Sequence, residues 1–331
     1  METQAEKIIS TNGNMMAGDR PICPTLLKYY KEGDIQAKLD QVNTPEAVFL
    51  FNGLPRDVSM MLLGGFLTGA FAEQVPSWQE VVVDYFQNNS RIIPALTANP
   101  GTYTMLEKMY HFEPVEGVID NYFLQSIAGG QALKNRYEAV TAQACKHVLE
   151  ILQTTGSCYM IDLGSGPGRN GIDICRQHPE FNGNIKIDCV DIDPEAIVFG
   201  TKLVKEKNIK QVEFIPTSMT RLHKRYPGTV DYGIIIGVLC GLTRAERIGL
   251  LSIIRPYFKS GARLVAASLL ETMAQKDLLC AYILRETTGW GLQYPPLGEL
   301  KEVFEAAGWI YEGFFHEEPT RLYEIGIGVA P

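Results

Sequence analysis

The sequence predicts a doubly wound α/β sheet preceded by a helical region. Two observations carry this prediction: apolar strands alternate with amphipathic helices after residue 155, and no period-two alternation of apolar residues occurs before it. Because alternating strands and helices pack as parallel strands joined by right-handed crossovers, we expect a mostly parallel sheet of seven strands. We place a helical domain over residues 1–125, as a cap, a dimerisation surface or both, and the sheet domain over 126–331.

The first half of the chain shows helical spacing. Thr44 is placed to cap a helix that begins at Pro45-Glu46, and Ser77 to cap one that starts at Trp78. Pro94 and the pair Pro100-Gly101 are expected to mark loops. The other predicted helices cover 57–73, 102–111 and 131–153.

The second half alternates strands and helices. Thr243 and Glu246 have the spacing of a capping box, and Gly308 is placed to end the last helix. The expected strands are 158–164, 186–192, 212–215, 231–239 and 261–270, followed by an antiparallel hairpin of 309–317 and 321–329. The helices between them are expected at 169–178, 194–207, 244–258 and 300–307.

The turn after the first strand is the clearest candidate for a ligand site. It reads Asp162-Leu163-Gly164-Ser165-Gly166-Pro167-Gly168, and its glycines allow the backbone to approach a ligand closely. Ligands of open α/β sheets bind beyond the carboxyl ends of the strands, where this turn lies. Asp191 ends the second strand, and a carboxylate there can accept hydrogen bonds from a ribose.

Two cofactors compete for this turn. Residues 166–171 match the dinucleotide pattern GxGxxG, and Asp191 lies twenty residues beyond Gly171, as NAD binding requires. The predicted strand, however, ends two residues before that pattern begins. An acidic side chain at Asp162 would also repel a pyrophosphate, whereas it suits a positively charged ligand such as a sulfonium amino acid. The sequence therefore favours S-adenosylmethionine (SAM) over NAD.

At these residues the chain resembles the class I SAM-dependent methyltransferases. The resemblance covers residues 127–331, and its specific part is the D-x-G-x-G-x-G motif at 162–168. It implies that Asp191 binds the ribose, that Ile192 lies against the adenine, and that the helix over 131–153 covers the cofactor. The cofactor-binding residues implied are Asp162, Gly164, Ser165, Gly166, Gly168, Asp191, Ile192, Ser218, Met219, Gly237, Val238 and Arg136.

Charge and motifs argue against a nucleic-acid acceptor. The formal net charge is −8, whereas phosphate backbones are bound by an excess of Lys and Arg. No Asn/Asp-Pro-Pro-Tyr segment or Pro-Cys pair follows the fourth strand. The family often carries Asn, Ser or His there, and this chain has Gly237, Cys240 and Gly241 instead.

No residue stands out as a catalytic base. His316, Glu317 and Glu271 lie near predicted strand ends, and each is more often a surface or packing residue. Arg136 and Tyr137 can reach the cofactor's carboxylate or the acceptor. The alternative for Arg136 is a structural salt bridge, and the alternative for Tyr137 is a tyrosine that packs in the core. Methyl transfer needs no base if the acceptor is already nucleophilic.

We therefore expect methyl transfer from SAM to a small, hydrophobic or aromatic metabolite. The alternatives are an NAD(P)-dependent oxidoreductase, a non-methylating enzyme of this fold and a non-catalytic subunit. Tyr282, Trp290 and Tyr294, between the fifth strand and the last helix, either wall a pocket or pack the N-terminal helices. Seven scattered cysteines without a CxxC pair indicate no metal site and a reduced, cytoplasmic protein, and no stretch has the length of a membrane span. A homodimer is one arrangement that the N-terminal region allows.

Overall fold

The computed structural model describes residues 23–331 apart from 74–75, 102, 112–115, 126–127 and 182. Its first half is helical, as predicted. The helices are α1 (Pro24–Glu32), α2 (Ile35–Val42), α3 (Pro45–Gly53), α4 (Arg56–Thr68), α5 (Pro76–Asn89), α6 (Ile92–Ala98), α7 (Tyr103–His111), α8 (Val118–Gln125) and α9 (Gly129–Thr155). The Thr44 side chain accepts a hydrogen bond from the Ala47 amide, so it caps α3. The helix expected from Trp78 begins at Pro76, so Ser77 lies in its first turn and is not the N-cap that was predicted.

The second half forms one seven-stranded sheet, which confirms the predicted fold class. Its strands are β1 (Cys158–Leu163), β2 (Ile185–Asp191), β3 (Val212–Pro216), β4 (Val230–Ile235), β5 (Phe258–Leu269), β6 (Ile310–His316) and β7 (Tyr323–Val329). Their order is β3-β2-β1-β4-β5-β7-β6, and only the pairs that involve β7 are antiparallel. The strand order reverses beside β1, so a ligand is expected at the exits of β1 and β4.

Helices cover both faces of this sheet. They are α10 (Arg169–Gln177), α11 (Pro194–Glu206), α12 (Arg244–Ile254), α13 (Thr272–Lys276), α14 (Leu278–Thr288) and α15 (Glu299–Ala306). Thr243 and Glu246 form the predicted capping box at the start of α12. Central strands such as β4 are buried on both faces, which explains their continuous apolar sequence.

Several predicted boundaries were wrong, for local reasons. The strand expected to reach residue 239 ends at Ile235, because the chain turns at Gly237 (φ +80°) and forms a 3₁₀ turn over Leu239–Gly241. The helix expected to reach 258 ends at Ile254, two residues before Pro256, which cannot donate a helical hydrogen bond. Pro94 was expected in a loop but lies in the first turn of α6, where a missing amide costs nothing.

The segment 271–297 carries α14 into the helical half of the protein. Its Tyr282 ring stacks on Phe71 with centroids 5.5 Å apart and meets the rings of Tyr30 and Phe66 edge-on. Of the two roles considered for Tyr282, the structure supports packing against the N-terminal helices. The helical half and the sheet thus share one continuous apolar core.

Among the described residues, no helix combines the length and apolarity that spanning a bilayer requires.

Gly233 offers a test of the packing at the centre of the sheet. A Cβ atom at this position would lie 2.5 Å from Cζ of Phe258. We expect Gly233→Ala to lower the free energy of unfolding by about 1–3 kcal/mol, the usual cost of overpacking a core. Gly241→Ala is the control, because its added methyl group would meet no atom within 4 Å. Equal stabilities of the two variants in urea unfolding would contradict this packing.

Candidate active site

The turn between β1 and α10 depends on its three glycines. Gly164, Gly166 and Gly168 have φ values of +70°, +52° and +69°, a region that other residues rarely adopt. A Cβ atom on Gly164 would also lie 2.4 Å from Cγ2 of Val238. The turn after β1 is therefore pressed against the exit of β4, and a side chain would separate them.

Asp191 ties this turn to the end of β2. One carboxylate oxygen accepts a 2.7 Å hydrogen bond from the Gly166 amide, and the other accepts a 2.9 Å bond from the Asp193 amide. Burial raises the pKa of Asp191, and these backbone donors work against that rise. Ile192, the next residue, is 74% exposed beside the turn. Asp191 thus shapes the turn in addition to offering oxygens at its edge.

Asp162 is a buried acid without a complete set of partners. It is 3% exposed, and its Oδ2 atom has no hydrogen-bond partner. Burial, with a smaller contribution from the charge of Asp191, raises the pKa of Asp162 to about 8. An ionised carboxylate in this position needs a donor or a cation that the described protein atoms do not supply.

The exits of β3 and β4 complete the edge of the site. The terminal methyl of Met219 would lie 3.3 Å from a Cβ atom on Gly164, so it borders the glycine turn. Ser218, immediately before it, caps the short 3₁₀ turn that carries Met219. After β4, Arg247 is buried and donates from Nε to the carbonyl oxygens of Leu239 and Leu242, which fixes this loop.

An apolar chamber lies beside this edge, between the sheet and the helical half. The space between its walls is about 860 Å³ when the solvent at its mouth is included, and about 90 Å³ of it is open to the centre of a water molecule. Gly237 and Cys240 border it on the β4 side, and Leu269 and Tyr323 at the ends of β5 and β7. Its walls are mainly large apolar side chains, among them Met105, Met109, Phe123, Leu133, Met273 and Trp290. Trp290 therefore has the wall position that was one of its two predicted roles.

Arg136 is the single charged residue among the described residues that line this chamber. It is 2% exposed, and its guanidinium carbon lies 4.6 Å from the centre of the Tyr323 ring. Its side chain hydrogen-bonds to Tyr110, but its Nε atom has no partner. No carboxylate among the described residues forms a salt bridge with it, so the structural salt bridge considered for Arg136 is not observed.

Helix α7 of the N-terminal half lies over the glycine turn. A Cβ atom on Gly166 would be 3.7 Å from Cβ of Tyr103. Glu107 accepts hydrogen bonds from Arg169, at 2.8 Å from Nε, and both side chains are largely buried. Tyr110 stacks on Tyr137 with centroids 4.7 Å apart. These contacts make α7 the cover of the turn and one wall of the chamber.

None of the four candidate catalytic residues lines the chamber. The Tyr137 hydroxyl donates to Asp173 and lies in a separate side pocket. His316 donates from Nδ1 to the Tyr323 carbonyl at 2.8 Å, and Glu317 is fully buried and accepts from the amides of Leu322 and Tyr323. Glu271 precedes α13, with its amide donating to the Pro295 carbonyl.

Sequence reasoning missed the residues that assemble the site over long distances. Tyr103, Glu107 and Tyr110 lie outside the region of the family resemblance, and nothing in their sequence context indicates that α7 covers the glycine turn. Arg247 lies on a helix that reads as an ordinary amphipathic segment. The pairing of Glu107 with Arg169 joins residues sixty-two positions apart, which no local pattern predicts.

Comparisons with known proteins agree with this geometry. A family model described as a methyltransferase domain matches residues 155–302. A solved structure of a possible exported protein from Bordetella parapertussis has a TM-score of 0.61 and 14% identity, and the match covers 87% of this chain and 97% of that one. The magnesium protoporphyrin IX methyltransferase of Synechocystis PCC 6803, solved with bound SAM, has a TM-score of 0.50 and 13% identity over 76% and 97% of the two chains. No curated protein sequence matches this chain.

The raised pKa of Asp162 predicts that the ligand-free protein loses folding stability as the pH rises. The carboxyl ionises near pH 4 when unfolded but near pH 8 when folded, so its contribution to stability falls as the pH rises between these values. We expect Asp162→Asn to become more stable than the wild type by about 1–3 kcal/mol as the pH rises from 5 to 8. Urea unfolding at pH 5, 6.5 and 8 measures this, and a pH-independent difference would contradict it.

The pairing of Glu107 with Arg169 predicts how firmly α7 is held. Glu107→Gln removes the charge of a largely buried, hydrogen-bonded pair, which contributes about 1–3 kcal/mol. We expect amide hydrogen exchange over residues 103–111 to become roughly tenfold faster. Glu312→Gln breaks a more exposed pair with Arg263 at the opposite end of the sheet and should leave α7 unchanged. Equal exchange of α7 in both variants would show that the pair does not hold this helix.

Proposed function

We propose that this chain, which has the fold of the class I SAM-dependent methyltransferases, transfers a methyl group from SAM to a small, hydrophobic or aromatic metabolite bound in the chamber. The observation that carries the proposal is the buried Asp162 carboxylate with an unpartnered oxygen, directly before the glycine turn. This arrangement suits a ligand that brings positive charge to the turn. A dinucleotide would bring a pyrophosphate to the same place, which this acid would repel.

The residues around the turn fit the parts of SAM. Asp162 would accept hydrogen bonds from the ammonium group of the methionine part, which would satisfy the oxygen that has no protein partner. The glycines at 164, 166 and 168 leave room for the ligand, and Asp191 and Ile192 would hold the ribose and the adenine. Ser218, Met219, Gly237 and Val238 would border the ligand from β3 and β4, with Ser165 in the turn itself.

SAM supplies a methyl group on a positively charged sulfur, which any suitably placed nucleophile can accept. The work left to the protein is therefore to align the two reactants and exclude water. The chamber meets both needs, because it opens next to Gly237 and its walls are apolar. Helix α7, held by the pairing of Glu107 with Arg169, lies over the glycine turn.

The apolar walls of the chamber also support the proposed class of acceptor, a hydrophobic or aromatic metabolite. Apolar walls bury apolar ligand surface, the dominant favourable contribution in small-molecule sites. The narrow set of polar groups leaves little to bind a strongly hydrophilic molecule. An apolar metabolite, a biosynthetic intermediate for instance, therefore fits better than a nucleic acid, whose binding would need an exposed basic surface.

We also propose a reducing, cytoplasmic location. All seven cysteines are free and buried, so none is paired in a disulfide of the kind that oxidising compartments favour. The expected homodimer stays a prediction.

Ligand-dependent thermal unfolding tests the proposed cofactor. We expect SAM and S-adenosylhomocysteine (SAH) to raise the melting temperature and NAD and NADP to leave it unchanged, since a ligand at a hundred times its dissociation constant adds about 2.7 kcal/mol. Asp162→Asn should weaken SAH binding at least tenfold by calorimetry, about 1.4 kcal/mol. Asp231→Asn, which alters a partly buried acid at the opposite end of the sheet, is the control. Stabilisation by a nicotinamide cofactor alone would replace the methyltransferase proposal with an oxidoreductase.

A further inference from the structure

Arg136 is a buried cation in a chamber whose described lining offers no other charge. It is 2% exposed, it lines the space, and its Nε atom has no partner. An ion that lies out of water without a counter-charge is costly, and proteins keep such groups mainly where a ligand completes them. Because no described carboxylate pairs with Arg136, a ligand with a negative charge would complete it.

The position of Arg136 indicates which reactant supplies it. Its guanidinium lies 4.6 Å from the ring centre of Tyr323, at the start of β7. In the strand order β1-β4-β5-β7, that strand is three places away from the glycine turn after β1. The guanidinium also approaches Gly237, with 3.8 Å between its terminal nitrogen and a Cβ atom placed there. It thus lies between the β4 exit and the chamber, and the described lining of the chamber includes no residue of the glycine turn. This assigns Arg136 to the acceptor and not to the cofactor, which the family resemblance had implied.

Among the residues that the structure describes, none that lines the chamber is a general base for a neutral acceptor. Its described lining contains no Asp, Glu, His or Lys side chain. Burial raises the pKa of Tyr323 above its usual range, so this hydroxyl keeps its proton. This lining therefore favours an acceptor that arrives already ionised. At neutral pH phenols and thiols keep most of their protons, with ordinary pKa values of about 10 and 8.5, whereas carboxylic acids have lost theirs.

We infer that the acceptor is an apolar carboxylic acid, that Arg136 binds its carboxylate, and that the product is a methyl ester. The inference rests on the proposed methyltransferase function and names its substrate class. A carboxylate entering an apolar space alone would take up a proton, and the guanidinium keeps it ionised. The planar fork of arginine matches the two oxygens of a carboxylate, and a lone pair remains for reaction.

The step balances without a proton. A carboxylate oxygen forms a bond to the methyl carbon as the bond from that carbon to sulfur breaks, and the bonding electron pair stays on sulfur. A negative and a positive reactant give a neutral ester and a neutral thioether. This explains how a chamber without a base can serve the reaction.

Binding of matched probes tests the inference. The probes are phenylacetate, 2-naphthylacetate and dodecanoate, each paired with its primary amide and measured by calorimetry in the presence of SAH. We expect at least one carboxylate to bind the wild type ten or more times more tightly than its amide. Equal binding within every pair, or no binding by any of the three carboxylates, would overturn the inference.

Variants of Arg136 separate the roles that this residue can have. Arg136→Met should abolish the preference for carboxylates while leaving the unliganded protein as stable or more stable, because an unpaired buried charge is replaced by an apolar chain of similar size. Arg136→Lys should keep part of the preference. Arg263→Gln, which removes a charge at the far end of β5, should keep all of it. If Arg136→Met instead weakens SAH binding tenfold and leaves the preference intact, Arg136 binds the cofactor and the inference is wrong.

The product gives an independent readout. With SAM labelled in its methyl group and the tightest-binding carboxylate, we expect labelled product that releases volatile methanol in alkali, as an ester does. Alkali-stable product would overturn the inference. Failure of SAH to bind the wild type would instead remove the proposed function itself, so the two failures are distinguishable.

Discussion

The hydrogen bond from the Gly166 amide to the Asp191 carboxylate is the contact on which the arrangement of the site depends. It links the exit of β2 to the turn after β1, and that turn in turn lies against Val238 after β4. The ends of three strands are therefore held together by the Asp191 carboxylate and by the close approach that the glycines of the turn allow. Substitution of Asp191 or of these glycines would loosen the turn, although neither lines the chamber.

Two buried ionisable side chains, each with one polar atom that has no partner among the described residues, mark the candidate site. Asp162 lies at the glycine turn and Arg136 in the wall of the chamber. The folded protein without ligand would be more stable if each were neutral or replaced by an apolar residue. Neither contributes to folding in an obvious way. In the proposed function the cofactor completes the hydrogen bonds of Asp162, and in the further inference the acceptor completes those of Arg136. The empty site would then be less stable than the occupied one, because a buried polar group without a full set of partners costs free energy.

The sheet could be predicted from the sequence because it is specified locally. Strand and helix periods alternate, the capping box at Thr243 and Glu246 marks a helix start, and the motif at 162–168 identifies the ligand turn. The helical half was predicted less fully, since α1, α2, α6 and α8 are short and owe their stability to tertiary packing rather than to local signals. The chamber was not predictable in detail, because it lies where distant elements meet. Arg136 was noticed as a residue near the site, but its lack of a carboxylate partner is a property of the folded surroundings.

Helix α14 has a consequence for how this chain can vary. It belongs by sequence to the sheet half, yet its Tyr282 is enclosed by Tyr30, Phe66 and Phe71 of the other half. A fragment cut near residue 126 would expose this helix as an apolar surface and would be prone to aggregate. The N-terminal region therefore cannot be exchanged by recombination as a self-contained module. A different N-terminal region could be accepted only together with a segment 271–297 that fits it. The N-terminal region and this segment must therefore evolve together.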